Sequence, residues 1–422
     1  MLTTLALVSA LAAPTPLTTM TVDDPLYGGG DAYALSGDTA FFTRTRGREL
    51  RVYALPITGG TPRQVFSYRV PRKTTPRPEL SASPQRVALS VEYETSGGEF
   101  DSRVFSGPPA GPWTRVDPIV ARQSIPPTVS VDGDRLITLE RVDKRDVLVV
   151  RDAAGVHQLP IPDQDSGSQS ATVAGDLMAY VEEHRVVIRN WRTGADVATP
   201  TFTGFPDWVA LGADGHAAVV TGPESLHDVL PGGVPRRIPG IGWQPVIAGQ
   251  RVVYRDNRGL QLLEPDGTVR PFGIATRQLD SFTADERHVL WNANGCLLVA
   301  PIESPLALGP APGPCAPAEL ELDEQAPQKL KSTLRVTIRC VSAPGACEGT
   351  LRLTAGFGPV VTRAQRFSIP VGEQRPVRVR VTKAGRRLLA KAIRRDRGVI
   401  VYGRATVGGR TVSTSGSGTV VR

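Results

Sequence analysis

The chain has 422 residues, 40% of them hydrophobic, and a net charge of +8. That apolar content supplies a sizeable core and excludes a wholly disordered chain. No apolar run of about 18 residues occurs, which argues against a transmembrane helix, and 43 glycines with 37 prolines point to short strands and many turns.

The amino terminus, MLTTLALVSALAAPTP, is apolar and ends in small residues. Ala10-Leu11-Ala12 fits a small-x-small cleavage site, so residues 1–16 are expected to be a signal peptide, although a charged n-region is missing. A buried strand is the other reading of the same residues.

From residue 17 to 303 one plan repeats seven times: an apolar run, a tight turn, a second run, a polar turn and a third run. The first turns fall at Gly37-Asp38, Pro84-Gln85, Gly133-Asp134, Gly175-Asp176, Asp214-Gly215, Gly249-Gln250 and Asp285-Glu286. Their spacing, 35 to 49 residues, brackets that of a four-stranded propeller blade. Segments such as VHQLPIP (156–162), ADVATPT (195–201) and TVRPFG (268–273) supply fourth strands. A single meander has two faces to bury, and radial stacking buries both. The seventh unit shows three strands, so its fourth is expected from the amino terminus, around residues 17–24.

This stretch resembles the TolB-like and WD-repeat-like β-propellers of bacteria. The resemblance lies in the repeat and in first turns such as SASPQ (81–85) and GADG (212–215). It implies a seven-bladed β-propeller, and no activity.

A proline-rich linker, 304–317, leads to residues 318–422. Twenty basic and seven acidic residues in 316–422 leave that stretch at +13 and the remainder of the chain at −5. Six alternating segments, KSTLRVTIRCV, GTLRLTAGFG, RAQRFSIPVG, RPVRVRVT, GVIVYGRATV and RTVSTSGSGTVV, suggest a small immunoglobulin-like β-sandwich. The expected fold class is therefore all-β, a propeller followed by an Ig-like domain. RCVSAPGACEGTLRL and VTKAGRRLLAKA are similar to carboxy-terminal Ig-like modules of secreted actinobacterial proteins, which implies an extracellular or cell-envelope setting.

Within this domain 382–398 carries helical patterning, with Thr382 as N-cap, Gly398 beyond the end, and Leu388, Leu389, Ala392 and Ile393 on one side. Arg386, Arg387, Lys391, Arg394, Arg395 and Arg397 form the opposite, basic surface. A solvated helix face is the plain reading, and attraction to wall polyanions or acidic headgroups the functional one. No aromatics interleave with the charges, which argues against nucleic acid.

Four cysteines cluster late in the chain. An even number in an exported protein reads as disulfides. Neighbour pairing gives Cys296–Cys315 and Cys340–Cys347, the second stapling one hairpin; two other pairings remain open. Their spacing matches no zinc pattern.

Chemistry leaves few marks. Nucleophile-elbow, Walker and HExxH motifs are absent. Glu182, Glu183 and His184 look like an acid/base cluster but fall at a blade turn. His157, His184, His216, His227 and His288 occupy unrelated strand positions. Asp163 and Asp165 in DQDSGS offer oxygen ligands for calcium, or simply a polar loop. First strands should line a central channel, where Glu79, Asp207 and Asp280 are the charges. Asp207 with Trp208 and Trp243 marks a candidate binding mouth.

The sequence thus favours a secreted or envelope-held, non-enzymatic binding or scaffold protein, without cofactor or metal, acting as a monomer on a protein or cell-wall glycan partner. The alternative, which leaves the enzyme question open, is a hydrolase or lyase acting on polysaccharide in the channel.

Overall fold

In the computed structural model the described residues are 15–18, 33–46, 48–71, 76–94, 100–117, 128–142, 145–161, 171–222, 225–240, 242–272, 281–293, 296–303, 319–322, 325–342, 346–356, 360–407 and 410–421. Two compact units emerge, one essentially up to residue 309 and one from 310 to the end. The expected linker, 304–317, lies outside the described residues.

The first unit is built from seven four-stranded antiparallel sheets among the described residues. Six are consecutive meanders. The fourth is typical: Ala171–Ala174, Leu177–Glu182, Arg185–Asn190 and Asp196–Ala198 pair in chain order. The seventh pairs Ser281–Ala284, His288–Ala293 and Cys296–Pro301. Its outer strand is Thr15–Thr18, antiparallel to Cys296–Pro301 with Thr15 opposite Val299. The closing strand thus comes from the amino terminus, overlaps the expected 17–24 stretch at Leu17 and Thr18, and begins inside the segment read as a signal peptide.

All seven first turns fall between the first and second strands of a sheet. Gly37, Gly133, Gly175 and Gly249 have φ of 56°, 58°, 60° and 64°. Glycine opens a two-residue hairpin of this kind because an L side chain resists positive φ there.

Neighbouring sheets bury side chains against each other. Phe41 and Leu89 share a core between the first and second sheets, and Ala88 packs with Leu136 between the second and third. Ile137 packs with Tyr180, Ala179 with Val219, and Ala218 with Tyr254, continuing the stack to the sixth sheet. The first strand of the seventh sheet then meets the first strand of the first, Tyr33–Ser36, and closes a ring. This is a β-propeller, with first strands innermost.

The first turns also interlock. Ser83 Oγ donates to the Gly133 carbonyl. Arg135 donates to the Gly175 carbonyl at 2.5 Å, while Gly175 N donates to Asp132 at 2.8 Å. Arg287 of the seventh sheet reaches Asp38 of the first at 3.4 Å.

In the second unit the strand order is Gln365–Pro370, Ala346–Ala355, Gly398–Val407, Arg410–Val421, Glu319–Leu322, Thr333–Ser342, Gln374–Arg380. Arg410–Val421 belongs to both halves of this folded sheet, and Gln325–Lys329 pairs parallel to it. Glu319–Leu322 and Gln325–Lys329 had no counterpart among the six expected segments, because ELELDEQAPQK carries too much charge and proline to read as strand. One core joins both halves, including Ile338, Leu353 and Val379.

The disulfide Cys340–Cys347 is formed, with both residues fully buried. It does not staple a hairpin. Cys340 sits on Thr333–Ser342, paired with Glu319–Leu322 and Gln374–Arg380. Cys347 sits on Ala346–Ala355, paired with Gln365–Pro370 and Gly398–Val407. The two strands are adjacent in sequence but belong to different halves of the sheet, so the bond ties the halves together through the core. The side chain of Cys296, and Cys315 altogether, fall outside the described residues.

The helix spans Lys383–Asp396, and Gly385 N donates to Thr382 Oγ1 at 2.9 Å. Leu389 and Ile393 enter the core, whereas Leu388 is exposed. The chain leaves the helix through Arg397 at φ 61°, one residue earlier than the expected glycine stop. No helix among the described residues is long and apolar enough to cross a membrane.

Candidate binding face

Antiparallel strands put the second turn of each sheet, and the connection to the next sheet, at the end opposite the interlocked first turns. Between the fourth and fifth sheets this end is tightly built. Phe202 N donates to the His184 carbonyl at 2.7 Å and Gly222 N to the Phe205 carbonyl at 3.0 Å. A Cβ at Gly204 would lie 2.5 Å from the Gly222 carbonyl oxygen, so only glycine fits there. Phe202 points inward and meets the His227 ring edge-on at 5.1 Å.

Phe205 points outward. It is 53% exposed, and its ring lies 4.0 Å from that of His184. Three residues on, the strand Pro206–Leu211 slips register between Pro206 and Trp208. Such a bulge breaks the in-out alternation. Asp207 and Trp208 therefore both face solvent, Trp208 at 49% exposure. Phe205, Asp207 and Trp208 are thus three exposed side chains within four residues of a hydrogen-bonded backbone, and form an aromatic ledge with one carboxylate in its sequence.

His184 belongs to the two-residue turn Glu183-His184, and Glu183 sits at φ 51°. Glu182 is engaged by Arg185 at 2.6 Å. The apparent acid/base cluster is thus divided: one carboxylate in an ion pair, one at a strained turn, and the imidazole tilted against the Phe205 ring.

Glu79 is half-buried on Pro76–Ala82 of the second sheet. Trp243 begins the strand Trp243–Ala248, where Gln244 has φ 51° and the register slips before Val246; its side chain lies outside the described residues, as do Asp280, Asp163 and Asp165. Arg386, Arg387, Lys391, Arg394, Arg395 and Arg397 are all exposed on the second unit.

Sequence reasoning missed the buried polar clusters. His216 Nε2 lies 2.6 Å from Asp228 Oδ1, and Arg236 reaches Asp228 Oδ2 at 2.6 Å. Burial would raise the Asp228 carboxyl, but hydrogen bonds from His216 and Arg236 outweigh it and hold the group below its usual range. In the third sheet Glu140 accepts from Thr138 at 2.6 Å and from Arg151 at 2.8 Å. Both carboxylates are closed off from solvent, so these are satisfied structural networks rather than catalytic groups. Burial, with Arg237 nearby, lowers the affinity of His227 for a proton. Among the described residues no three His, Cys, Asp or Glu side chains gather as a metal site.

No protein-family model matches the sequence, and no curated protein matches it. Solved structures do. The chain is similar to BamB from Moraxella catarrhalis, at 10% identity and TM-score 0.41 over 68% of this chain and 99% of that one. It is similar to a chain of the mitotic checkpoint complex, at 13% and 0.46 over 69% and 94%. It is also similar to YCF48 bound to D1 peptide, at 10% and 0.46 over 69% and 98%. Identities this low bear on fold alone, and the propeller assignment rests on the sheet order of this chain.

Proposed function

We propose that this protein is a non-enzymatic binding protein whose propeller presents the ledge between its fourth and fifth sheets to a protein partner. The observation that carries the reading is the pair Phe205 and Trp208, both about half exposed on a backbone that is itself hydrogen-bonded in place. Rigid exposed aromatics lose little entropy on binding and dominate interface energies. Asp207 and Glu183 add polar rim groups of the kind that set orientation.

The proposal includes an exported setting, with the chain acting as a monomer and the basic second unit holding it in the envelope. The small-residue motif at the amino terminus supports export, and so does the buried Cys340–Cys347 bond, since such bonds persist in oxidising compartments. A cell-wall glycan is the second partner class for the same ledge.

Affinity capture from an envelope fraction tests the reading, using the wild type and a Phe205→Ser/Trp208→Ser variant. A protein retained by the wild type and lost by the variant is the expected result. Equal retention by both removes the ledge from the function, and elution by wall oligosaccharide alone reassigns it to glycan. Charge reversal of Arg387, Lys391 and Arg394 should shift the protein from wall to soluble fraction; an unchanged distribution ends the anchoring role.

A further inference from the structure

Gln365–Pro370 and Gln374–Arg380 are the two ends of the strand order in the second unit, each with a single ladder partner. They are consecutive in the chain, joined through Gly372 at φ 83°, and Glu373 N donates to the Pro370 carbonyl at 3.1 Å. At the far end Thr362 bridges Val381, and Arg363 N donates to the Arg380 carbonyl at 2.9 Å. Between these two closures no backbone bond joins the strands among the described residues, and a cleft opens.

Two cavities of about 360 and 280 Å³ make up the cleft and share Gln365 and Arg378. Arg363 and Arg380 complete the first, Arg366 and Arg375 the second. Arg375 pairs with Glu373 at 2.9 Å. The other four arginines are exposed and have no carboxylate partner among the described residues. Glu348, on the neighbouring strand, accepts from Ser368 Oγ at 3.0 Å. Phe367, Ile369 and Val377, all members of the core, form the floor.

Three features coincide: open strand edges, an apolar floor and unneutralised guanidinium groups on both rims. A free edge is a template for another strand, and charged side chains along it choose which strands it accepts. Guanidinium groups select carboxylates through paired hydrogen bonds. We infer that the cleft receives an extended acidic peptide, which adds as a strand to the free edge of Gln365–Pro370 and sets its carboxylates among the arginines. This site is separate from the propeller ledge, so its failure leaves that reading standing.

The test uses the full chain and a fluorescent ten-residue peptide alternating glutamate and valine. Binding is followed by anisotropy at two salt concentrations, and amide exchange by mass spectrometry. The peptide should bind, weaken with salt, and slow exchange within 365–369. Arg378→Glu should weaken it at least about tenfold, the scale of one lost charge-assisted pair. Because Arg378 is exposed, the variant should melt with the wild type; if it does not, the exchange result on the wild-type protein alone decides. Absence of binding overturns the inference. So does equal binding of a peptide with the same charges but proline in place of valine, since charge alone would then suffice. Inorganic polyphosphate that binds as tightly while exchange stays unchanged also overturns it, and reassigns the arginines to a polyanion surface.

Discussion

Asp228 stands between His216 and Arg236, taking a 2.6 Å hydrogen bond on each carboxylate oxygen. It lies opposite Ala218 in the ladder, on the face of the fifth sheet that packs against the sixth. Removing one member of a buried charge pair costs about 3–5 kcal/mol; here His216 is buried and would be left unpaired, whereas Arg236 is 40% exposed and can turn to water. Asp228→Asn keeps the shape and removes the charge. Urea unfolding at neutral pH should show a loss near the lower end of that range. The pH dependence has a definite sign. The native carboxyl is held below the ordinary value of 3.8, so the stabilisation is complete above that value and disappears as pH falls through the native one. The acid limb of the wild-type stability curve should therefore be steeper than that of the variant. Equal acid limbs would remove Asp228 from the account.

Glu183 holds φ 51° at the tip of a two-residue turn, a position that costs an L side chain roughly 1–2 kcal/mol. Glu183→Gly should stabilise the protein by about 0.5–1 kcal/mol, because relief of strain exceeds the added chain entropy. Thermal melting checks this. Strain retained at an exposed tip beside the aromatic ledge suggests a role for the side chain. The same variant should therefore retain less partner in the capture assay while melting higher. A variant that melts lower would show the turn to be unstrained.

The repeat was legible because tight hairpins need positive φ, and Gly37, Gly133, Gly175 and Gly249 announce it. The helix was legible because Thr382 and the Leu389/Ile393 spacing give both its start and its buried face. Asp207 and Trp208 stand out in the sequence as candidates, but the reason for their exposure is not visible there. It comes from the bulge at Pro206–Trp208, which composition does not mark. The His216–Asp228 contact was hidden for a related reason: the two are twelve positions apart and meet only once hairpin register is fixed. The crossing of Cys340 and Cys347 between sheet halves was missed because seven residues of separation normally mean a hairpin.

Cys340 and Cys347 lie within one core and link strands that share no ladder. Closing so short a loop stabilises by roughly 2–3 kcal/mol in the chain-entropy model. A Cys340→Ala/Cys347→Ala variant should lose about that much, plus a contribution from the cavity left by two buried sulfurs. The loss should be confined to the second unit: amide exchange should accelerate in 333–342 and 346–355 and stay unchanged in the propeller strands. Acceleration throughout the chain would contradict the division into two units.

Gly385 gives the sharpest conflict between local and tertiary preference. It occupies the third position of the helix, where alanine would raise helix propensity by about 1 kcal/mol. Yet a Cβ there would sit 2.0 Å from the Val361 carbonyl oxygen, which is backbone and already accepts from Thr382 N at 3.0 Å and Thr382 Oγ1 at 3.2 Å. The helix start is thus pressed against the 360–362 segment, and glycine is what allows the approach. Gly385→Ala should destabilise the second unit by about 1–3 kcal/mol, the usual cost of overpacking, and expose Leu389 and Ile393 as the helix lifts. Urea unfolding and exchange at 383–396 measure both effects. A more stable variant would mean that the helix does not rest on Val361, and propensity alone would then govern this position.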